Sequence, residues 1–588
     1  MTARTALLAA LFAPALAASA PAALPIAGHI AVPVPSTHRG EDDLLSAGLG
    51  IDGLRGPLPA LGDPTAPTFG ELRRRAVWTN WRGIADVLSA NGLGEAYGDL
   101  SPVPGREFHG RATVPGATHP HRLLLQLPDG FDRARPCLVV SVSSGSRGIY
   151  GAIALAGGWG LPRGCAVAYT DKGAGTDWRR VAAALGNTTG SDAGSDTVFV
   201  PHAHSGDHPE ADWGHHVLQA AAFGREVLLR ETGIDEAALT VIAVGLSNGA
   251  GAVLRAAGDE ATYSGDNAGR HTRRVDAPRL DGVVAVAPNI HVEGARALFD
   301  VATHAALLMP CALAAPHFDT DALLRPGGAL PPVYAAGCAA LVAHGQIKGD
   351  DLAAQGANAW QAMQAAGWTD AAMRAGSLSV AFDLWRSVAA GYASAYRRTP
   401  ADAMPLGYRY AVRDAQGAPM PASPAEAALW WSDSSGIPPG NGVVLLDPPG
   451  DDGRMTGLLG LRALANDAAV REAIVATRAL PPREGLPILL LHGLDDGLVP
   501  EWETSAPYAA FARKNGARLG YWRIERAQHF DAFLGNPALA ARYVPLMPEA
   551  YAALDAMLAH LRDGAPLPGD RTIGDRRIGD RRIGTRAP

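Results

Sequence analysis

Leu239-Thr-Val-Ile-Ala-Val-Gly-Leu-Ser-Asn-Gly-Ala-Gly251 decides how the rest of the chain is read. An apolar, β-branched run reaches Gly245, Ser247 follows in a G-x-S-x-G frame, and an Ala/Gly-rich helix start comes next. This is the layout of a nucleophile elbow, a strand that turns sharply into a helix with a serine hydroxyl at the tip. Such a turn puts the serine in a strained backbone conformation. Gly245 and Gly249 remove side chains that would collide where strand and helix pass. A serine hydroxyl is a poor nucleophile alone, so the turn is useful only if a base and an acid follow. The pentapeptide by itself fits an incidental serine equally well, and the surrounding chain separates the two readings.

Outward from the elbow, strand patterns alternate with helical ones, the signature of βαβ units. Residues 136–142, 165–170, 239–246, 282–288, 486–492 and 518–526 read as strands, and 211–232 and 548–562 as helices. Residues 107–114 and 121–127 read as an antiparallel pair entering the sheet, joined by a Pro-Gly turn. Ahead of them, 21–100 is a Pro/Gly-rich segment with a helical stretch at 69–87, whose Arg73, Arg74 and Arg75 read as a solvated face. No strand rhythm is apparent between 290 and 485, and 370–396 is helical in pattern. An insertion there sits over the C-terminal ends of the strands, where ligands bind in open α/β sheets. It is read as a cap whose Trp360, Trp368, Trp385, Trp430 and Trp431 form mainly its own core, with some lining the cleft.

The acid candidate lies in Leu490-Leu-His-Gly-Leu-Asp-Asp-Gly-Leu-Val-Pro500, just beyond a strand end. Asp496 fits an H-G-x-x-D-x-x-V-P frame and is preferred, while Asp495 is the competitor. The base candidate is His529, in Arg526-Ala-Gln-His-Phe-Asp531 after the last core strand. Serine, aspartate and histidine in that chain order, each at a strand end, spell an α/β-hydrolase triad. The fold class is therefore α/β, with a mostly parallel central sheet and a large, mainly helical cap. The core comprises 101–289 and 486–565. Ester or amide hydrolysis also needs donors for an oxyanion. The N–H of Asn248 is one, and Ser144 or Gly145 in Ser143-Ser-Gly-Ser-Arg-Gly148 is the other. Arg147 lies in the same loop, where an arginine can tie the loop to a neighbouring acid. His202, His204, His208, Glu210, Asp212, His215 and His216 resemble metal ligands by count. They lack an H-E-x-x-H helix and contain Pro209, so a structured loop beside the site is expected, with no metal and no cofactor.

With 588 residues, 47% hydrophobic and 19% charged, the chain reads as globular, and a net charge of -7 leaves no basic footprint for nucleic acid or membrane. Residues 1–20 read as a secretory signal, with Arg4, an apolar run too short to span a bilayer, and an Ala15-Leu-Ala17 cleavage site. A secreted protein in a disulfide-permitting compartment is the expectation. Cys311 and Cys338 are the preferred pair, and Cys137 and Cys165 are read as small core residues. The Arg-Ile-Gly-Asp repeats of the tail, 566–588, are too polar to bury a core and are read as disordered. Nothing in the chain sets an oligomeric state.

Several further stretches carry a family resemblance. Val103-Pro-Gly-Arg-Glu107, Ser141-Val-Ser-Ser-Gly-Ser-Arg-Gly-Ile-Tyr-Gly151, Tyr169-Thr-Asp-Lys-Gly-Ala-Gly175, His202-Ala-His-Ser205, Pro209-Glu-Ala-Asp-Trp-Gly214 and Ser247-Asn-Gly249 are the matching pieces. With them the chain resembles the D-(-)-3-hydroxybutyrate oligomer hydrolases. The resemblance implies an exported esterase of poly(3-hydroxybutyrate) degradation that hydrolyses soluble hydroxybutyrate oligomers, a small-molecule ester substrate, to monomers with Ser247 as nucleophile. Such oligomers end in a carboxylate, which makes Arg147 the candidate grip for it; an arginine that only ties its loop to a neighbouring acid is the competing reading. Tannases and feruloyl esterases are the alternative, but they carry a cysteine beside the serine and another near the histidine, where this chain has Leu246 and Gln528.

Overall fold

A computed structural model describes residues 35–63, 67–89, 100–145, 147–174, 204–265, 279–423, 443–450 and 452–574. The expected signal, Trp430, Trp431, His202 and the tail beyond 574 lie outside these residues. The chain runs through β1 (Ser36–His38), β2 (Gly105–Ala112), β3 (His121–Pro128), β4 (Cys137–Val142), β5 (Ala166–Thr170), β6 (Thr240–Leu246) and β7 (Gly282–Val286). After the insertion, with its own β8 (Arg409–Arg413), β9 (Pro419–Met420) and β10 (Val444–Leu446), come β11 (Pro487–Gly493), β12 (Arg518–Ile524) and β13 (Arg571–Ile573). The main sheet has the order β1-β2-β3-β5-β4-β6-β7-β11-β12-β13. From β5 to β13 neighbouring strands are parallel, and β1, β2 and β3 enter antiparallel.

The central strands are apolar without a break because both faces are covered. Along β6, Ile242, Val244 and Leu246 join one core, with Trp81, Trp159 and the helix Met547–Asp563. Val241 and Ala243 join the other, with the helices Trp213–Thr232 and Asn248–Gly265. This alternation follows from the two-residue period of a strand.

The segment before β2 is built into the fold. Thr68 and Glu71 form a capping box that starts the helix Phe69–Arg82. Arg73 turns inward, against the reading of a solvated face, and is 3% exposed. Its guanidinium meets buried Glu107 at 2.8 Å, and Tyr150 donates to the same carboxylate at 2.8 Å. Burial opposes the charge on Glu107, but Arg73, His109 and His38 together outweigh it and hold the carboxyl well below its usual range.

Cys137 and Cys165 are bonded to each other, which corrects their reading as separate core residues. Leu138 pairs with Ala166 in parallel β4 and β5, so the two cysteines just before them stand opposite, with Cα atoms 4.8 Å apart. The expected Cys311–Cys338 bond joins the helices Leu298–Ala312 and Pro332–Ala343.

Between β7 and β11 the insertion is mostly helical, with the three-stranded β10-β8-β9 sheet as an unexpected addition. The helical stretch at 370–396 is two helices, Asp370–Ala381 and Leu384–Arg397, broken where Asp383 adopts φ 55°. Trp368 and Trp385 are buried edge-to-face at 5.8 Å in the core of the cap.

The tail reading needs correction at its start. Residues 571–573 form β13, pairing Trp522 with Arg571 and Ile524 with Ile573. Asp570 accepts from the Tyr521 N–H at 2.9 Å, and the Arg571 guanidinium lies 3.3 Å from the Trp522 ring centroid. Edge pairing and a cation–π contact supply what so polar a stretch cannot supply from its own burial.

Candidate active site

At the end of β6 the backbone turns at Ser247 with φ 59°. A conformation of this kind costs about 1–3 kcal/mol and persists only where its surroundings enforce it. Here the Ser247 N–H donates to the Val286 carbonyl at 2.9 Å, while its own carbonyl accepts from Gly251 at 3.0 Å and Asn289 at 3.1 Å. The glycines are required by close approach. A Cβ on Gly245 would stand 2.3 Å from the Gly249 carbonyl carbon, and one on Gly249 would stand 2.5 Å from the Val142 oxygen. The second contact brings the end of β4, and so the loop after it, against the elbow.

His529 reaches Ser247 from the loop after β12, with Nε2 2.8 Å from Oγ. Its Nδ1 lies 2.6 Å from Asp496 Oδ2. A carboxylate can only accept, so Nδ1 carries the proton and Nε2 is left to take one from the serine. Asp496 Oδ1 accepts the N–H groups of Leu498 and Val499, both at 2.8 Å, and Oδ2 also lies 3.2 Å from His492 Nε2. Burial opposes the charge, but His529 and the hydrogen bonds from His492 and His529 prevail and hold Asp496 well below the ordinary carboxylate range. His492 is the first residue of the H-G-x-x-D-x-x-V-P frame, and its Nδ1 is fixed by Ser505 Oγ at 2.6 Å. Asp495 takes no part in this chain. Burial pushes its carboxyl up, against the charges of Arg526, Arg374 and Arg542.

Asn248 opens the helix after Ser247, so its N–H has no acceptor within that helix. In the loop after β4, the Ser144 N–H is directed to the Gly151 carbonyl at 3.3 Å, which takes it out of the expected donor set. The Ser144 hydroxyl is buried and has no hydrogen-bond partner among the described residues. Gly145 has φ 55°, and its N–H has no acceptor among the described residues. Arg147 is 3% exposed. It donates to the Gly83 carbonyl at 2.8 Å, and its guanidinium lies 5.9 Å from the ring centroid of Phe530, the neighbour of His529. Its tie is to a carbonyl rather than to an acid. Burial lowers it to about 10.

Asn289, Tyr392 and Tyr396, which no local motif marks, link the cap to the elbow and to the Glu210 loop. Asn289 Nδ2 donates to Asn248 Oδ1 at 3.0 Å and lies 2.9 Å from the Tyr392 hydroxyl. Tyr396, one turn on from Tyr392, donates to Glu210 Oε2 at 2.9 Å. His208 Nε2 donates to the Ala473 carbonyl at 2.8 Å, and His204 Nε2 lies 3.2 Å from the Tyr410 hydroxyl. The loop around Glu210 thus fastens the cap to the core, as a structured loop beside the site.

Burial pushes Glu210 up to about 7, opposed by the Tyr396 hydrogen bond and the charges of Arg255 and Lys172. A raised carboxyl favours the protonated folded state, so stability is lost as pH rises from the unfolded value, about 4.3, through the folded one. Glu210→Gln keeps an acceptor for Tyr396 and removes the ionisation. Its melting temperature is expected to match wild type at pH 4 and to exceed it at pH 8. A difference independent of pH would contradict this.

Sheet order, elbow and the loops beyond β11 and β12 together define an α/β-hydrolase. The chain belongs to the 3HB-oligomer hydrolase family, whose model matches residues 15–200 and 188–579, and it is an ester hydrolase. It is 35% identical to a D-(-)-3-hydroxybutyrate oligomer hydrolase of Paracidovorax citrulli, over 90% of this chain and 87% of that protein. It is 34% identical to one of Cupriavidus metallidurans, over 92% and 85%. Among solved structures it is similar to the rice cell wall degrading esterase LipA of Xanthomonas oryzae, at 11% identity, covering 82% of this chain and all of that one, with a TM-score of 0.39. Feruloyl esterase B of Aspergillus oryzae aligns at 11% identity, covering 79% and 82%, with a TM-score of 0.34.

Proposed function

We propose that the protein is an exported serine esterase that hydrolyses D-(-)-3-hydroxybutyrate oligomers to monomers through a Ser247-His529-Asp496 triad. The observation that carries this reading is the unbroken chain Ser247 Oγ, His529, Asp496, with contacts of 2.8 and 2.6 Å. Ser247 Oγ attacks the ester carbonyl as His529 Nε2 takes its proton, and Asp496 stabilises the imidazolium. The N–H groups of Asn248 and Gly145, with the Ser144 hydroxyl, receive the oxyanion. Collapse expels the alcohol, the hydroxyl of the departing hydroxybutyrate unit, which takes the proton from His529. Water then enters with His529 again as base, and the acyl-enzyme is cleaved to acid and free serine. The names of the relatives supply the substrate. The short signal-like start of the chain and the two disulfides support export. Purified protein assayed on hydroxybutyrate dimer and trimer beside aryl esters tests the reading; preference for aryl esters with no oligomer turnover would refute the substrate.

Arg147 is the proposed grip for the terminal carboxylate, supported by its place in the oxyanion loop and a buried guanidinium that faces no acid among the described residues. Arg147→Met should raise KM for the free-acid dimer by about ten- to a hundredfold, the loss of one charge-assisted pair, and leave the methyl-esterified dimer nearly unchanged. Gly83→Ala should act in the same direction, since its Cβ would stand 1.9 Å from Arg147 Nη1. Equal losses on acid and methyl ester would show that Arg147 only supports the loop.

A further inference from the structure

We infer that Lys172 is a positioning residue for the oxyanion loop, its ammonium gripping that loop from beneath and keeping the Gly145 N–H turned toward the ester. The inference rests on the esterase reading above.

Lys172 follows β5, and its side chain is fully buried. Its Nζ donates to the Ser143 carbonyl at 2.7 Å, to Ser143 Oγ at 2.7 Å and to the Gly145 carbonyl at 2.5 Å. An ammonium has three N–H donors and no acceptor, so the three oxygens satisfy it completely. Two of them are the carbonyls of the peptides on either side of the Ser144–Gly145 peptide. Pinning both leaves the intervening peptide little freedom to flip. That peptide carries the Gly145 N–H, which has no acceptor among the described residues. The Ser143 hydroxyl in turn donates to the Asp171 carbonyl at 3.2 Å, which fixes its lone pairs for Lys172.

The lysine is itself held in an unusual state. Its φ is 48°, in the left-handed region that side chains other than glycine rarely adopt. Its N–H donates to Thr170 Oγ1 at 3.0 Å, and its Nζ lies 5.7 Å from the centroid of the Trp213 ring. Among the described residues no carboxylate lies within ion-pair distance of it. Burial lowers it to about 7, opposed by the charges of Asp171 and Glu210. A buried cation without an ion pair is expensive, and a neutral side chain of the same length would fill the space at no such cost. What the ammonium adds is three directed donors and a positive charge beneath the group that must receive an oxyanion.

Wild type is first treated with a fluorophosphonate, and labelling at Ser247 establishes the esterase reading independently. Lys172→Met is then assayed on the hydroxybutyrate dimer. The expected result is a fall in kcat of about a hundredfold or more, the scale of a lost oxyanion donor, with KM within about threefold of wild type. A folded Met variant with near-normal kcat, or one in which only KM rises, would overturn the inference while leaving the esterase reading intact. Should that variant not fold, Lys172→Gly accepts the positive φ and leaves room for a small amine. Recovery of kcat by added n-butylammonium but not by n-butanol supports the assignment. Recovery by neither, or equally by both, overturns it.

Discussion

Replacing Ser247 with alanine should lower ester hydrolysis by several orders of magnitude, about 10^4-fold or more, without disturbing the fold. Oγ is the only atom removed, and among the described residues its one hydrogen bond is to His529. The backbone bonds that enforce the turn, to Val286, Gly251 and Asn289, do not involve the side chain. Alanine bears the same strain at φ 59° as serine, so the melting temperature should stay close to wild type. Ser247→Gly should be equally inactive but more stable, because glycine takes a positive φ without penalty. An alanine variant with near-normal turnover and an unchanged circular dichroism spectrum would remove Ser247 from the mechanism.

Asp496→Asn should be nearly as damaging, about 10^4-fold in kcat, because an amide can present an N–H to His529 and favour the wrong tautomer. The carboxylate oxygens also receive Leu498, Val499 and His492, so the loop after β11 is built around an acceptor-only group. Asp495→Asn should change kcat by no more than about threefold, since its side chain touches neither Ser247 nor His529. Kinetics of the two variants on the same substrate check the assignment. The reverse pattern would move the acid to Asp495, and two mild effects would break the triad.

Much of this site was legible because its signals are local. G-x-S-x-G reports a steric demand within five residues, met here by Gly245 and Gly249 at distances a Cβ could not tolerate. The strands were legible because continuous apolar runs follow from burial on both faces, and Asp496 and His529 fall just past two of them. What escaped depends on which strands become neighbours. Cys137 and Cys165 each looked like a strand-opening core residue, and only the β4–β5 pairing sets them opposite one another. Arg73 looked solvated until Glu107, on another element, supplied its counter-charge. Lys172, Asn289 and Tyr392 come from three separate segments, and no spacing along the chain announces that Lys172 reaches the loop after β4 while Tyr392 reaches Asn289 and, through it, Asn248. β13 escaped for a different reason: a three-residue edge strand has too little pattern to stand out from a polar repeat.

Acylation of Ser247 is tested most directly by rapid-quench mass spectrometry of the wild-type enzyme with hydroxybutyrate dimer or trimer. A transient adduct with the mass of a hydroxybutyryl group is expected on the peptide containing Ser247, formed and lost at rates compatible with turnover and absent from Ser247→Ala. Turnover of the oligomers with no such adduct on wild type, together with persistent hydrolysis by Ser247→Ala, would contradict it.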